Sequence, residues 1–162
     1  MPGAATAGAA MDRINFRQAS IEDLPLIVGM LADDILGRQR ELSEDPLPES
    51  YIQAFREIDA DPSNELIVAE LDGDVIGTMQ LTLTPSISFR GGKRCTVESV
   101  RVDEKHRGKG IGREMMLWAI DRAREKGCVS MQLTTHKDRV GAHRFYESLG
   151  FSKSHIGMKL KL

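Results

Sequence analysis

The chain has 162 residues, of which 41% are apolar and 28% are charged. These proportions are typical of one globular domain, and they exclude a collagen, a coiled coil and a chain that is disordered throughout. The formal net charge of −2 excludes a protein that binds nucleic acid through its overall charge, so we expect no nucleic-acid partner.

The charges are unevenly distributed along the chain. Residues 1–81 contain 5 Lys and Arg against 16 Asp and Glu, whereas residues 82–162 contain 17 against 8. The basic half predicts a site for an anionic cofactor, and the acidic half favours a cationic substrate. Solvated helix faces are the alternative explanation for both halves.

The N-terminal segment and the cysteines indicate a cytoplasmic protein without a membrane partner. Residues 1–11 are small and uncharged, which predicts a disordered lead-in before a single domain over residues 12–162. No apolar stretch approaches the roughly 20 residues of a membrane span, and the start of the chain lacks the basic and long apolar regions of a signal peptide. Cys95 and Cys128 lie far apart in the sequence, and we expect free core thiols rather than a disulfide or a metal site.

Hydrophobic periodicity and turn residues predict six strands and four helices. Strands are expected at Ile14–Gln18, Leu66–Leu71, Val75–Thr84, Cys95–Val102, Ser130–Thr134 and Phe151–Leu160. Helices are expected from Ser20 to about Arg40, at Glu49–Ile58, from about Gly112 to Lys126, and at Val140–Leu149. The order β-α-α-β-β-β-α-β-α-β predicts a mixed α/β (α+β) domain. Because side chains alternate along a strand, Glu98, Val100 and Val102 are expected on one face.

Three alternate glycines, Gly108, Gly110 and Gly112, lie between the strand that ends at Val102 and the long helix. Glycine lets the backbone turn tightly and lets a ligand approach the amides without interference from a Cβ. The first amides of a helix and its dipole favour an anion, and basic side chains flank these glycines. The pattern predicts a pyrophosphate site, with a tight structural turn as the alternative. It matches neither the P-loop nor the dinucleotide-binding pattern.

Two motifs resemble those of the GNAT superfamily of N-acetyltransferases. Arg107–Gly112 (RGKGIG) resembles that family's acetyl-CoA signature, and Ala142–Phe151 (AHRFYESLGF) resembles its C-terminal helix. The resemblance spans about residues 13–162. The segments Thr134–Lys137 and His143–Gly150 are similar to aminoalkylphosphonate N-acetyltransferases.

The resemblance implies a mainly antiparallel mixed sheet of six to seven strands with about four helices, splayed between the fourth and fifth strands. It implies direct transfer of an acetyl group from acetyl-CoA to an amine, without a metal. The residues implied in cofactor binding belong to the exposed fourth strand, the glycine-rich segment and the C-terminal helix: Val100, Arg101, Val102, Arg107, Gly108, Lys109, Gly110, Ile111, Gly112, Arg113, Arg139, Ala142 and Phe145.

Two residues are catalytic candidates. The resemblance implies that Tyr146 is the general acid, because a phenol with an ordinary pKa of about 10 can protonate a leaving thiolate; packing beside Phe145 is its alternative role. Glu98 is the candidate general base, with acceptor binding and an ordinary exposed carboxylate as alternatives. The chain departs from the family at Thr96, where histone-type and aminophosphonate-type enzymes place a Glu. It departs again at Arg139, where many members have an Asn.

The sequence leaves three functions open. A small-molecule N-acetyltransferase, a protein or peptide acetyltransferase and a non-enzymatic CoA-binding regulatory protein would all need the same cofactor site. Acidic residues occur where the family's first helices wall the acceptor site, which predicts a small cationic amine as the acceptor: Asp33, Asp34, Glu41, Glu44, Asp45 and Glu49. A homodimer is a possible assembly.

Overall fold

The computed structural model describes residues 14–34 and 36–162. The predicted lead-in over residues 1–11 lies outside them. The strands are β1 (Ile14–Gln18), β2 (Asn64–Leu71), β3 (Asp74–Thr84), β4 (Lys93–Val102) and β5 (Cys128–Gln132). The helices are α1 (Leu24–Ala32), α2 (Gly37–Arg40), α3 (Glu49–Ala60), α4 (Ser88–Gly91), α5 (Ile111–Glu125) and α6 (Val140–Ser148). Two 3-10 turns, Ile21–Asp23 and Glu104–His106, precede α1 and α5.

The strands form one open sheet in the order β1-β2-β3-β4-β5. The first four strands are antiparallel, and β5 runs parallel to β4. Pairing between β4 and β5 ends at Thr96 and Gln132, although β4 continues to Val102. The predicted splay between the fourth and fifth strands is therefore present, and the last six residues of β4 have no β5 partner.

Each face of the sheet has its own apolar core. Helix α5 covers one face, where Met115, Met116 and Ala119 pack against residues such as Met79 and Val97. Helices α1 and α3 cover part of the other face, where Leu24, Ile27 and Phe55 pack around Val68. We call these the α5 face and the α1 face.

A buried ion cluster fixes helix α5 against the sheet. Both carboxylate oxygens of Glu65 accept hydrogen bonds from Arg122, at 2.8 and 2.9 Å, and Lys126 lies 3.1 Å away. Burial alone would raise the pKa of Glu65, but the two cations outweigh burial and hold that pKa below its usual value. The carboxylate therefore stays charged at neutral pH and holds the helix whose N-terminus forms the glycine-rich turn.

The structure corrects the predicted elements at three places. The four predicted helices are six in the described residues, and one of them is the unpredicted short turn α4, where Phe89 and Arg90 have φ values of 52° and 59°. The single helix expected from Ser20 to about Arg40 begins at Leu24 and is divided after Ala32. The six to seven strands expected from the resemblance are five in the part of the chain that the structure describes. The segment predicted as a strand at Phe151–Leu160 is irregular and mostly exposed, and it is not paired with β5, the last strand of the sheet.

Candidate active site

The glycine loop (Arg107–Arg113) turns the chain from β4 into helix α5. Gly108 and Gly110 have φ values of 74° and 81°, in the left-handed region that favours glycine. Gly110 is the N-cap of α5, and its carbonyl accepts a hydrogen bond from the Arg113 amide at 3.1 Å. The preceding amides of this turn belong to the group that has no partner within a helix. The loop therefore presents helix-end amides beside basic side chains, as an anion site requires.

Contacts of the basic side chains hold the loop in place. The Arg107 guanidinium donates to the Val102 carbonyl at 3.0 Å and to the Asp33 carboxylate at 2.8 Å. The Lys109 ammonium donates to the Lys105 carbonyl at 2.9 Å. The hydrogen bond from Arg107 to Val102 ties the loop to the end of β4, and the one to Asp33 ties it to the end of α1.

The cofactor residues predicted from three separate segments meet at the start of α5. A Cβ built on Gly112 would lie 3.7 Å from Val102 Cγ2 and 3.8 Å from Phe145 Cζ. Gly112 on α5 is therefore close to both Val102 on β4 and Phe145 on α6. Val100 and Val102 lie in the part of β4 that β5 leaves unpaired. Arg139 is the N-cap of α6, and Ala142 lies in its first turn.

A β-bulge in β4 overturns the predicted arrangement of its side chains. Ser99 has a φ of 55°, and the pairing with β3 shifts there, so that Glu98 faces Gln80 and Arg101 faces Thr78. The extra residue reverses the alternation beyond it. Val100 and Val102 consequently pack on the α5 face. Glu98 and Arg101 share the α1 face, so the expectation that Glu98 lies on the same face as the two valines is wrong.

Tyr146 lies on α6 in a largely aromatic environment. Its ring lies 5.1 Å from the ring of Phe145 and 5.9 Å from that of Phe151, in edge-to-face geometry. Burial raises the pKa of the Tyr146 phenol, and the positive charges of Arg139 and Arg101 only partly oppose this effect. The phenol is therefore protonated at neutral pH, the state that a general acid needs. Tyr146 packs against the same core as Val100 and Val102 at the end of β4.

Arg101, predicted as a cofactor residue, is the centre of a charged cluster on the α1 face. Its guanidinium lies 3.1 Å from the Asp34 carboxylate and donates to the Val100 carbonyl at 2.9 Å. Burial lowers the pKa of Arg101, while the charge of Asp34 opposes that effect. Burial alone would raise the pKa of Asp34, but the Gly37 amide and the Arg101 charge keep it below its usual value. Both groups are therefore ionised at neutral pH.

Four of the six acidic residues expected to bind a cation have arginine partners within the chain. Asp33 contacts Arg107 and Arg38, Asp34 contacts Arg101, Glu41 contacts Arg40 and Glu49 contacts Arg56. Tyr51 joins this group of contacts, since its hydroxyl donates to Glu41 at 2.9 Å and accepts from the Leu42 amide at 3.0 Å. Sequence reasoning missed the pairs of Asp33 with Arg107 and of Asp34 with Arg101, because these partners lie in segments that come together only in the fold.

The histidines take part in local contacts. His106 lies 3.0 Å from the Asp103 carboxylate, and His143 lies 3.0 Å from the His136 carbonyl. In residues 14–34 and 36–162, no group of three His, Cys, Asp or Glu side chains is arranged to hold a metal ion. Cys95 is buried and Cys128 is partly buried, and both are free thiols. No helix in the described part of the chain has the length and apolar character to cross a membrane.

Comparison with solved structures gives a match along nearly the whole fold. A structure described as a transcriptional regulator from Bacillus halodurans C-125 is 50% identical, with a TM-score of 0.89. The match covers 92% of this chain and 99% of that protein.

Two curated relatives are acetyltransferases. The aminoalkylphosphonate N-acetyltransferase of Salmonella typhimurium is 31% identical over 110 residues, which cover 64% of this chain and 70% of that protein. The streptothricin acetyltransferase of Streptomyces lavendulae is 35% identical over 95 residues, which cover 58% of this chain. The match spans only 47% of the length of that second relative.

A family model matches the part of the chain that holds the candidate site. The model of the acetyltransferase (GNAT) family matches residues 32–151, a range that contains the splayed strand, the glycine loop and Tyr146. The chain therefore belongs to the GNAT family of acetyltransferases, enzymes that transfer acetyl groups.

Proposed function

We propose that this chain transfers the acetyl group of acetyl-CoA directly to a primary amine of a small acceptor. The observation that supports this most strongly is the position of the unpaired end of β4. Val102 lies close to Gly112 of the glycine loop, which suits a pyrophosphate, and it packs in the same core as Tyr146, which suits a leaving thiolate. Arg107, Lys109 and the first amides of α5 would hold the pyrophosphate of the cofactor.

In the proposed reaction the amine nitrogen attacks the thioester carbonyl carbon. A new C–N bond forms, the C–S bond breaks, and the sulfur takes the bonding electrons. The Tyr146 phenol gives its proton to the sulfur, which leaves as a thiol. The nitrogen loses its second proton as the amide forms, and that proton, relayed through solvent, restores the phenol. A backbone N–H at Val102 would stabilise the oxyanion of the tetrahedral intermediate.

Glu98 is the proposed acceptor of the proton that the ammonium group must lose before attack. Its side chain is exposed and lies on the α1 face. Arg101 is its neighbour on that face, beyond the bulge at Ser99. This position suits an amine that approaches from the side of α1 and α3 rather than from the side of α5. Proton transfer to Glu98, directly or through water, would generate the free amine at the end of β4.

The acceptor is proposed to carry an anionic group in addition to its amine. Four of the six acids that predicted a cationic acceptor are paired with arginines, and one of these pairs joins Asp34 to Arg101. Glu98 and Arg101 lie on the same face of β4. Such a pair suits a zwitterion, with the amine near the carboxylate and the anionic group near the guanidinium. The name of the relative from Salmonella typhimurium, an aminoalkylphosphonate N-acetyltransferase, describes an acceptor with both groups.

A thiol-release assay with acetyl-CoA and a panel of amines tests the proposal. The panel contains amino acids, aminoalkylphosphonates, amino sugars, diamines of matched length and lysine peptides. We expect kcat/KM to be at least tenfold higher for a zwitterionic amine than for the diamine of the same length. Tyr146→Phe and Glu98→Gln should each lower kcat by roughly 100-fold, while the exposed control Glu125→Gln leaves it unchanged.

Two outcomes of this assay would contradict parts of the proposal. Preference for the diamine would overturn the zwitterionic acceptor while leaving the acetyltransferase intact. Turnover that both variants retain would remove the assigned roles of Tyr146 and Glu98.

A regulatory protein that binds CoA without catalysis is the second candidate. The observation that favours it is the description of the 50% identical protein as a transcriptional regulator. Calorimetry separates the two: acetyl-CoA binding without turnover of any amine on the panel supports regulation. Turnover of one amine class that Tyr146→Phe abolishes supports the enzyme.

A further inference from the structure

Two arginines beside the candidate active site have donor groups without an acceptor in the described part of the chain. Arg139 lies at the start of α6, and its side chain is exposed. Its guanidinium makes no hydrogen bond or ion pair within residues 14–34 and 36–162. The Nε atom of Arg101 is buried and has no hydrogen-bond partner in the same residues. Because a buried donor without an acceptor is costly, the Nε atom of Arg101 points to an acceptor atom that a ligand supplies.

The charges around Arg101 leave one free cation and one free anion. Arg101 lies 3.1 Å from the Asp34 carboxylate, so these two charges offset each other. Arg139 keeps its positive charge unpaired. Glu98, which shares the α1 face with Arg101, is exposed and makes no ion pair in the residues that the structure describes. A ligand that carries one charge of each sign would therefore complete the cluster.

Helical geometry brings Arg139 towards the catalytic candidate on α6. Arg139 and Tyr146 are seven residues apart, which is two turns of a helix, so they lie on the same side of α6 about 10 Å apart along its axis. Tyr146 packs in the core that includes Val102 at the end of β4. In agreement with this position, the charge of Arg139 acts on Tyr146, and it also acts on Asp34 and Arg101. None of these groups belongs to the glycine loop.

We propose that Arg139 and Arg101 together bind the anionic group of the acceptor, and that Arg139 selects an anionic acceptor over a cationic one. Two guanidinium groups can donate to different oxygens of one carboxylate or phosphonate. The ammonium group of the same molecule would lie towards Glu98. The inference rests on the proposed acetyl transfer to a small amine, and it assigns Arg139 to the acceptor rather than to the cofactor.

Three acceptors with a common aminoethyl group test the selection. Aminoethylphosphonate ends in a phosphonate, β-alanine in a carboxylate, and diaminopropane with two terminal amines in a second ammonium group. We expect Arg139→Gln to raise KM for the two zwitterions at least tenfold, with kcat within threefold and KM for acetyl-CoA within twofold of wild type. Arg139→Glu should prefer diaminopropane. The control Arg144→Gln removes another exposed arginine of α6 and should behave like wild type.

Calorimetry with CoA in place of acetyl-CoA tests the same site without turnover. We expect aminoethylphosphonate to bind wild type that is saturated with CoA at least tenfold more tightly than it binds Arg139→Gln. Unchanged circular dichroism would show that the variant is folded. A wild type that acetylates no amine would contradict the proposed function, whereas this binding measurement would still decide the role of Arg139.

Three results would overturn the inference. The first is equal affinity of wild type and Arg139→Gln for both zwitterions. The second is a wild type that binds neither zwitterion at millimolar concentration in the presence of CoA. The third is a tenfold loss of acetyl-CoA affinity in Arg139→Gln with unchanged acceptor preference, because Arg139 would then bind the cofactor.

Discussion

At the scale of single residues, Gly110 sets the conformation of the glycine loop. Its φ of 81° lies in the left-handed region, where a residue with a Cβ costs roughly 1–2 kcal/mol. We predict that Gly110→Ala weakens acetyl-CoA binding about tenfold or more, because relief of that strain moves the amides at the start of α5. Isothermal calorimetry with acetyl-CoA measures the change directly.

Gly112→Ala is the matched control for Gly110→Ala. A Cβ on Gly112 would meet its neighbours at 3.7 and 3.8 Å, ordinary van der Waals distances. Alanine is also favoured over glycine within a helix by roughly 0.5–1 kcal/mol. This variant should therefore be equally or more stable and bind acetyl-CoA within about twofold of wild type. Equal loss of affinity in both variants would show that the loop needs space for the ligand rather than the left-handed turn.

At the scale of elements, the bulge at Ser99 decides which side chains of β4 face the acceptor. We predict that Ser99→Gly keeps activity and stability, because glycine adopts a φ of 55° without penalty. Ser99→Val should lose about 2 kcal/mol of unfolding free energy, because a β-branched residue is strained at positive φ. It should also lower kcat, since removing the bulge would return Arg101 to the α5 face. Urea unfolding and thiol release measure the two effects; a fully stable and active Ser99→Val would contradict this role of the bulge.

The elements themselves were largely predictable from the sequence, whereas the contacts between them were not. The hairpin of β2 and β3, the long helix after the glycine loop and the helix that carries Tyr146 each follow from local periodicity and turn residues. The strand expected at Phe151–Leu160 failed for a different reason. Its pattern is that of a strand, but a strand also needs hydrogen-bonded pairing, and this segment is not paired with β5, the last strand of the sheet.

In the candidate site, too, the motifs were predictable from the sequence and the contacts between distant residues were not. Arg107, Gly110, Phe145 and Tyr146 belong to contiguous motifs, and the fold brings those motifs together as expected. The side of the sheet that Glu98 occupies depends on one extra residue in β4, and a polar residue within a strand does not reveal a bulge. The pairing of Asp34 with Arg101 joins residues far apart in sequence, so no local pattern could predict it.

At the scale of the whole molecule, the acidic N-terminal half and the basic C-terminal half contact each other beside the glycine loop. Asp33, at the end of α1, lies 2.8 Å from Arg107 and 3.9 Å from Arg38. The acidic half therefore neutralises part of the positive charge that would attract the phosphates of CoA. The ion pair between Asp33 and Arg107 also positions Arg107. Removing Asp33 would strengthen acetyl-CoA binding if charge neutralisation dominates, and weaken it if positioning dominates.

We predict that charge neutralisation dominates and that Asp33→Asn binds acetyl-CoA about threefold more tightly at low salt, within the 0.2–1 kcal/mol typical of exposed ion pairs. Arg107 keeps its position in this variant because its guanidinium also donates to the Val102 carbonyl at 3.0 Å. The gain should disappear at 1 M salt, where the screening length falls to about 3 Å. The control is Asp121→Asn, which removes the partner of Arg124 about 15 Å along α5 from the loop; it should bind like wild type at every salt concentration. Weaker binding by Asp33→Asn at low salt would mean that the ion pair acts mainly by positioning Arg107.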